Sequence, residues 1–174
     1  MLNGENIILR HPKQEDLISF NKWRNYLEIK KQALLHPFPI TMEQELDWFQ
    51  HISHDKSNRN IFFSIVSIDE KLIGYTQLSE LDWINKNCFF GIIIGEKENH
   101  GKGYGSEALN LLIDYAFNNL NLHKVTLKVV DYNKQAIKLY EKKGFVKEGI
   151  LKENILQNNE YLDVSIYSIF NKNR

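Results

Sequence analysis

Between Ile61 and Val130 the hydrophobic period of the chain changes twice, and this limits the sheet it can build more than any other feature. "IFFSIVSI" (61–68), "LIGYTQLSEL" (72–81) and "NCFFGIIIG" (87–95) are strand-like runs, and their joints, "DEK" and "DWINK", are hairpin-sized. Three such runs form an antiparallel meander. The pattern then turns helical: Leu109, Leu112, Ile113, Ala116 and Leu120 make an inward stripe, with Asn110, Asp114 and Asn118 on the wet face. "KVTLKVV" (124–130) is a strand again. Strand, helix and strand in one sheet imply a parallel crossover. The sheet is therefore mixed, with one βαβ unit.

The flanking segments fill in the rest. "NIILR" (6–10) reads as a first strand, and "KQEDLISFNKWRNYLEI" as a helix with Leu17, Phe20 or Trp23, and Leu27 on one face. "HPFPIT" breaks the chain, and Thr41 followed by Glu43, Gln44 and Glu45 caps a second helix that carries Leu46, Phe49 and Ile52 inward. "DYNKQAIKLYEKKG" is a short helix opened by Asn133 and closed by Gly144. "FVKEGILKENIL" and "EYLDVSIYSIF" pair as a hairpin across Gln157-Asn158-Asn159. The expected fold is α+β: a mixed, mostly antiparallel sheet of about seven strands with flanking helices. The 174 residues, 43% of them apolar, match a single domain spanning 1–174.

Charge narrows the partners. Lys+Arg and Asp+Glu both number 22, so the basic excess of a nucleic-acid-binding chain is missing. The expected partner is a small molecule or a protein, with no nucleic acid and no membrane, and a homodimer is the expected assembly. Cys88 is the only cysteine, which excludes an internal disulfide and fits a reducing compartment. No signal-peptide pattern opens the chain and no apolar run is long enough for a bilayer, so the expected location is cytoplasmic. His51, His54 and Asp55 lack a convincing third ligand, and no metal is expected. Lys138, Glu141, Lys142, Lys143 and Lys147 read as a solvated face.

The chemistry concentrates in "ENHGKGYGSEAL" (98–109), where Gly101, Gly103 and Gly105 alternate into a helix start. Alternating glycines let backbone N–H groups close on an anion, and the helix N-terminus adds its dipole. An NTP loop fails on spacing, because Gly95 and Gly101 lie one residue too far apart and Gly103 follows Lys102. A dinucleotide site matches Gly103, Gly105 and Ala108, with Asp131 closing the next strand. Against it, Glu96 to Lys102 separate the strand from the glycines, and the preceding strands read as antiparallel.

Coenzyme A is the third reading, and a resemblance carries it. "HGKGYGSEAL" followed by "NLHKVTLKVVDYNKQAIKLYEKKGF" resembles the acyl-CoA signature of the GNAT superfamily of N-acetyltransferases. Gly103 and Gly105 match its pyrophosphate loop, with His100 where the family usually has Gln or Arg. Asn133, Ala136, Tyr140, Gly144 and Phe145 match its second motif. "NLNLHKVTLKV", "FVKEGILKE" and "EYLDVSIYSI" are similar to the branch of ribosomal-protein N-terminal and spermidine acetyltransferases, and "FNKWRN" to amino-sugar-nucleotide acetyltransferases.

The resemblance implies acetyl-CoA as co-substrate, held by His100, Gly101, Lys102, Gly103, Tyr104, Gly105 and Ser106 at the pyrophosphate. It places the pantetheine and the oxyanion on backbone groups of Ile92, Ile93 and Ile94. Asn133 and Ala136 are further cofactor contacts, and Tyr140 is the catalytic acid for the departing thiolate. Asn133 and Tyr140 share a helix face about 10 Å apart along the axis, which suits an extended pantetheine arm. Where relatives often have Glu as base, this chain has Phe89, which leaves Glu80 and Asp82 as candidates. A cleft is expected between the strands at 87–95 and 124–130.

The acceptor is a polyamine, a nucleotide-linked amino sugar or a protein N-terminus. A polyamine site calls for acids, available in Glu28, Glu43, Glu45, Glu80 and Asp82. A sugar-nucleotide site calls for aromatic and basic groups, available in Trp23, Arg24, Trp48 and Trp83. A non-catalytic acyl-CoA-binding module and a dinucleotide enzyme remain the alternatives of other classes.

Overall fold

A computed structural model describes residues 1–172. One eight-stranded sheet runs through them: β1 (Leu2–Asn3), β2 (Ile7–Arg10), β3 (Ile61–Ser67), β4 (Leu72–Asp82), β5 (Asn87–Ile94), β6 (Lys124–Val130), β7 (Val146–Gln157) and β8 (Glu160–Phe170). Their spatial order is β1-β2-β3-β4-β5-β6-β8-β7. Every neighbouring pair is antiparallel except β5 and β6, which are parallel, so the doubly wound sheet of a dinucleotide enzyme is not present among the described residues. The strand beyond the expected seven is β1, whose two residues are too short to show a period.

The helices are α1 (Leu17–Asn25), α2 (Leu27–Gln32), α3 (Met42–His54), α4 (Tyr104–Asp114) and α5 (Lys134–Lys142), with a π-helical turn at Tyr115–Asn119 extending α4. The single early helix expected from the sequence is broken at Tyr26, which is extended (φ −77°, ψ 118°). The Asn25 side chain pairs with both backbone groups of Ile40 there, offering the chain an alternative to helix. The break rotates the register: Leu27, expected inward, is 61% exposed, while Ile29 and Lys30 are buried.

Thr41 opens α3 through a reciprocal capping box, its Oγ1 accepting from Gln44 N (3.2 Å) and Gln44 Oε1 accepting from Thr41 N (2.9 Å). Leu46, Phe49 and Ile52 are only half-buried; the fully buried residue of α3 is Glu45. On α4, Leu109, Leu112 and Ala116 are buried as the stripe requires, with Ile113 and Leu120 half-buried. Asn133 Oδ1 caps α5 by accepting from Ala136 N, and Gly144 (φ +89°) ends it. The β7–β8 turn is two residues, Asn158 and Asn159, both left-handed, and Gln157 belongs to the strand.

Two apolar clusters hold these parts together. The larger joins the sheet to α4 and α5 through residues such as Leu9, Ile65, Leu78, Leu109, Leu127 and Phe145. The second joins α1 and α2 to Tyr75 and Ile93 through Leu17, Phe20, Trp23 and Ile29. Among the described residues no helix is long and apolar enough to cross a membrane.

Candidate active site

The parallel pairing of β5 with β6 covers only Asn87↔Lys124, Cys88↔Val125 and Phe89↔Thr126. Beyond Phe89 the two strands part, and among the described residues the β6-facing backbone edge of Phe90–Ile94 has no strand partner. This is the cleft expected between these strands. It opens into a cavity of about 880 Å3. Hydrogen bonds rejoin the arms on one side: Tyr132 donates to Gln157, Gln157 donates to the Lys31 carbonyl, and Lys31 donates to Asn158.

The glycine loop forms one end of the cavity. Gly101 (φ +75°) and Gly103 (φ +88°) are both left-handed, a conformation that strains any side-chain-bearing residue. A Cβ added at either would meet nothing within 4 Å, so the loop faces open space. Among the described residues, every backbone N–H from Gly101 to Ser106 lacks a protein acceptor. The last three open α4, where intrahelical partners do not exist. The concave run of donors, with the α4 dipole behind it, fits a pyrophosphate, and the parted edge of β5 fits a pantetheine amide chain. Coenzyme A suits this donor set.

His100 pegs the loop. Its Nε2 lies 3.0 Å from the Ile94 carbonyl, so that nitrogen carries the proton and the ring ties the loop to the end of β5. A second tie comes from α1. Trp23 Nε1 and Lys22 Nζ both donate to Glu96 Oε1 (3.0 and 2.6 Å), and the indole lies so close over Gly95 that a Cβ there would sit 1.9 Å from the ring.

The structure brings most of the expected residues together. Ile92, Ile93, Ile94, His100, Gly101, Gly103, Tyr104, Gly105, Ser106, Asn133, Ala136, Tyr140 and Glu80 all line the cavity. Lys102, Trp23, Asp82 and Trp83 do not. Lys102 is exposed outside it, and Trp23 is buried beneath Gly95. Asp82 accepts from Ile84 N, Asn85 N and Asn85 Nδ2 in the β4–β5 turn, and Trp83 donates to the Asn58 carbonyl.

Tyr140 is buried on α5, edge-on to Phe90 at 6.5 Å and tilted on Phe145 at 5.8 Å. Among the described residues its hydroxyl has no hydrogen-bond partner, and the residue lines the cavity. Burial pushes its pKa up to about 12, so it stays protonated at physiological pH and has a proton to donate. Cys88 lies outside the cavity, buried, with its thiol also pushed up to about 12 by burial, which leaves it inert as a nucleophile.

The opposite end is aromatic, built from Trp48, Phe62, Tyr75 and Phe89 with Gln77 between them. Arg24 Nη1 bonds Glu45 Oε1 at 2.8 Å, and its guanidinium lies 5.1 Å from the Trp48 ring centre. Lys128 Nζ stands 5.3 Å from the Phe89 ring centre. Of the five acids available to a polyamine site, only Glu80 lines the cavity. Glu28 pairs with Lys97, Glu43 is exposed, and Glu45 is committed to Arg24. Sequence reasoning missed Phe62, Gln77, Lys128 and the segment from Gln32 to Leu35. Gln77, polar at an inward position of an apolar strand, was the one with a readable signal.

A family model described as an acetyltransferase (GNAT) domain matches residues 6–146. The chain is 35% identical to the spermidine N(1)-acetyltransferase of Vibrio cholerae over 158 residues, 91% of this chain and 89% of that one. Its structure is similar to that of spermidine N-acetyltransferase from Vibrio cholerae in complex with CoA and spermine, with TM-score 0.88, 32% identity and 96% of both chains covered. A dodecameric structure of spermidine N-acetyltransferase from the same organism matches with TM-score 0.80 and 32% identity over 96% of this chain and 95% of that one.

Proposed function

The chain belongs to the acetyltransferase (GNAT) family and is an acetyl-CoA-dependent N-acetyltransferase, and we propose that its acceptor is a primary amine of a linear polyamine, attacked with no covalent enzyme intermediate. The observation that carries the donor half is the unpartnered run of N–H groups from Gly101 to Ser106 at the cavity wall. Support for the acceptor half comes from the relatives. The aromatic walls suit a methylene chain and its ammonium groups.

When bound, acetyl-CoA supplies a thioester whose carbonyl carbon is the electrophile. The loop donors hold the pyrophosphate, and backbone groups of Ile92 to Ile94 steady the pantetheine and the carbonyl oxygen. Donors fixed in place before reaction are worth about 3 kcal/mol to the transition state. Asn133 and Ala136 line the route to Tyr140, whose hydroxyl gives its proton to the departing sulfur. Cys88, buried outside the cavity lining with its thiol held protonated, supports transfer in one step from thioester to amine.

Arg24 beside Trp48 favours a second reading, in which the acceptor carries a phosphate, as a nucleotide-linked amino sugar does. An acceptor screen following free CoA release separates the two. Turnover of spermidine and spermine is expected, and turnover confined to nucleotide-linked amino sugars or peptide N-termini overturns the polyamine assignment. CoA binding without transfer to any amine supports the non-catalytic module. We also propose a cytoplasmic homo-oligomer larger than a dimer, by analogy with the dodecameric relative; light scattering giving a monomer or dimer refutes it.

A further inference from the structure

The reaction needs a group to take the acceptor's proton, and we infer that Glu80 is that group, delivered by a bulge in β4; the inference rests on the acetyltransfer reading above. Phe89, opposite Ser79 on the neighbouring strand, presents a ring to the cleft. Glu80 is the only carboxylate among the described residues that line the cavity.

The backbone shows how it gets there. On β4, Tyr75 and Gln77 face the cavity, while Leu78 belongs to the core on the other side. Strict alternation would send residue 80 to the core side and residue 81 to the cavity. Pairing jumps from Ser79↔Phe89 to Asp82↔Asn87, so Glu80 and Leu81 together oppose Cys88. This two-against-one bulge reverses the alternation: Glu80 reaches the cavity and Leu81 is buried at 2% exposure. The first bulge residue is left-handed, φ +52°, a position where glycine is the unstrained choice. Glu80 is held there against its backbone preference, and the bulge sets its side chain at the wall of the cleft. Its N–H is secured on Asn60 Oδ1 and that of Leu81 on the Arg59 carbonyl.

The step balances. The acceptor ammonium first gives one proton to the Glu80 carboxylate, directly or through one water, and the neutral nitrogen forms the new C–N bond to the acetyl carbon. The C–S bond breaks, the sulfur takes the Tyr140 proton, and the second nitrogen proton replaces it on the Tyr140 oxygen by way of solvent. Glu80 then releases its proton to solvent, which it can do because it is exposed. The charged and titratable side chains that line the same cavity are Arg24, Tyr75, His100, Tyr104, Lys128 and Tyr140, with Asp82 two residues along β4 and Arg59 bonded through its carbonyl to Leu81 N.

The test is Glu80→Gln, with Glu80→Asp beside it, using spermidine and acetyl-CoA. We expect kcat for Glu80→Gln to fall about 100-fold at pH 7, within the range of a lost acid–base group. The deficit should shrink as pH rises toward the amine's own pKa, near 10, because the amine then arrives neutral. Glu80→Asp should restore part of the rate. Calorimetric affinity of spermidine for the CoA-bound enzyme should stay within about threefold, since a proton acceptor is not an anchor. Weakened spermidine binding with kcat and its pH profile unchanged overturns the proposal in favour of an anchoring role. An unchanged rate throughout overturns it outright and leaves the acetyltransfer reading standing, whereas a wild-type enzyme that acetylates no amine removes both.

Discussion

Gly105→Ala should make the free protein more stable and the enzyme worse, and the two effects have separate origins. Gly105 lies in the first turn of α4, and a Cβ there would stand 3.7 Å from Ile94 Cγ1 and 4.0 Å from Ile92 Cδ1. Both distances are ordinary contact, so nothing must move. Replacing glycine by alanine in a helix gains about 0.5–1 kcal/mol. For a chain of this length that raises Tm by about 1–4 °C. The same methyl occupies space between the loop donors and the β5 edge. A phosphate needs N···O distances of about 2.7–2.9 Å to make charge-assisted bonds, and a displaced one loses about 1.5–3 kcal/mol per bond. CoA affinity should therefore drop about 10- to 150-fold. Thermal unfolding without ligand and calorimetry with CoA read the two halves independently. CoA binding at wild-type strength would mean that the anion sits elsewhere, and a lowered Tm would mean that the first turn of α4 is not as described.

Four further outcomes can be checked. Tyr140→Phe should lower kcat about 100-fold or more while leaving CoA affinity near wild type. Because burial raises the folded-state pKa of Tyr140 and Tyr75 to about 12, the stability they contribute is intact below pH 10 and lost from there to pH 12; alkaline unfolding followed by fluorescence should begin in that window. Arg24→Met leaves the fully buried Glu45 carboxylate unpaired and should cost about 3–5 kcal/mol in denaturant unfolding, with most of it recovered in Arg24→Met/Glu45→Leu. Cys88→Ala should retain full transferase activity, and the native thiol should resist alkylation at pH 8; loss of turnover on that substitution would reopen a covalent route.

What the sequence disclosed follows from which signals are local. The meander, the α4 stripe and the Asn133 and Gly144 caps are written in periods or in single residues with a fixed backbone meaning, and each stands where it was read. The two-residue β1 has no period to read. The break at Tyr26 depends on Asn25 finding Ile40, 15 residues away, so Leu27 was turned inward by a helix that does not continue. At the site, the donor half was legible because glycines and a helix start announce an anion. The acceptor half was not. Trp23 went to Gly95 and Glu45 to Arg24, pairings that only the folded chain creates, while Glu80 reached the cavity by a bulge that reverses its side.

A grip made of backbone N–H groups has an evolutionary corollary. Exchanging the side chain of His100, Lys102, Tyr104 or Ser106 leaves every donor from Gly101 to Ser106 in existence, since each belongs to the main chain. Only changes that alter the path of the chain, at Gly101 or Gly103 above all, abolish it. The loop can thus drift in composition while its ligand stays the same. An imidazole that donates to the Ile94 carbonyl can stand where the resemblance puts Gln or Arg, because an amide and a guanidinium also carry N–H donors.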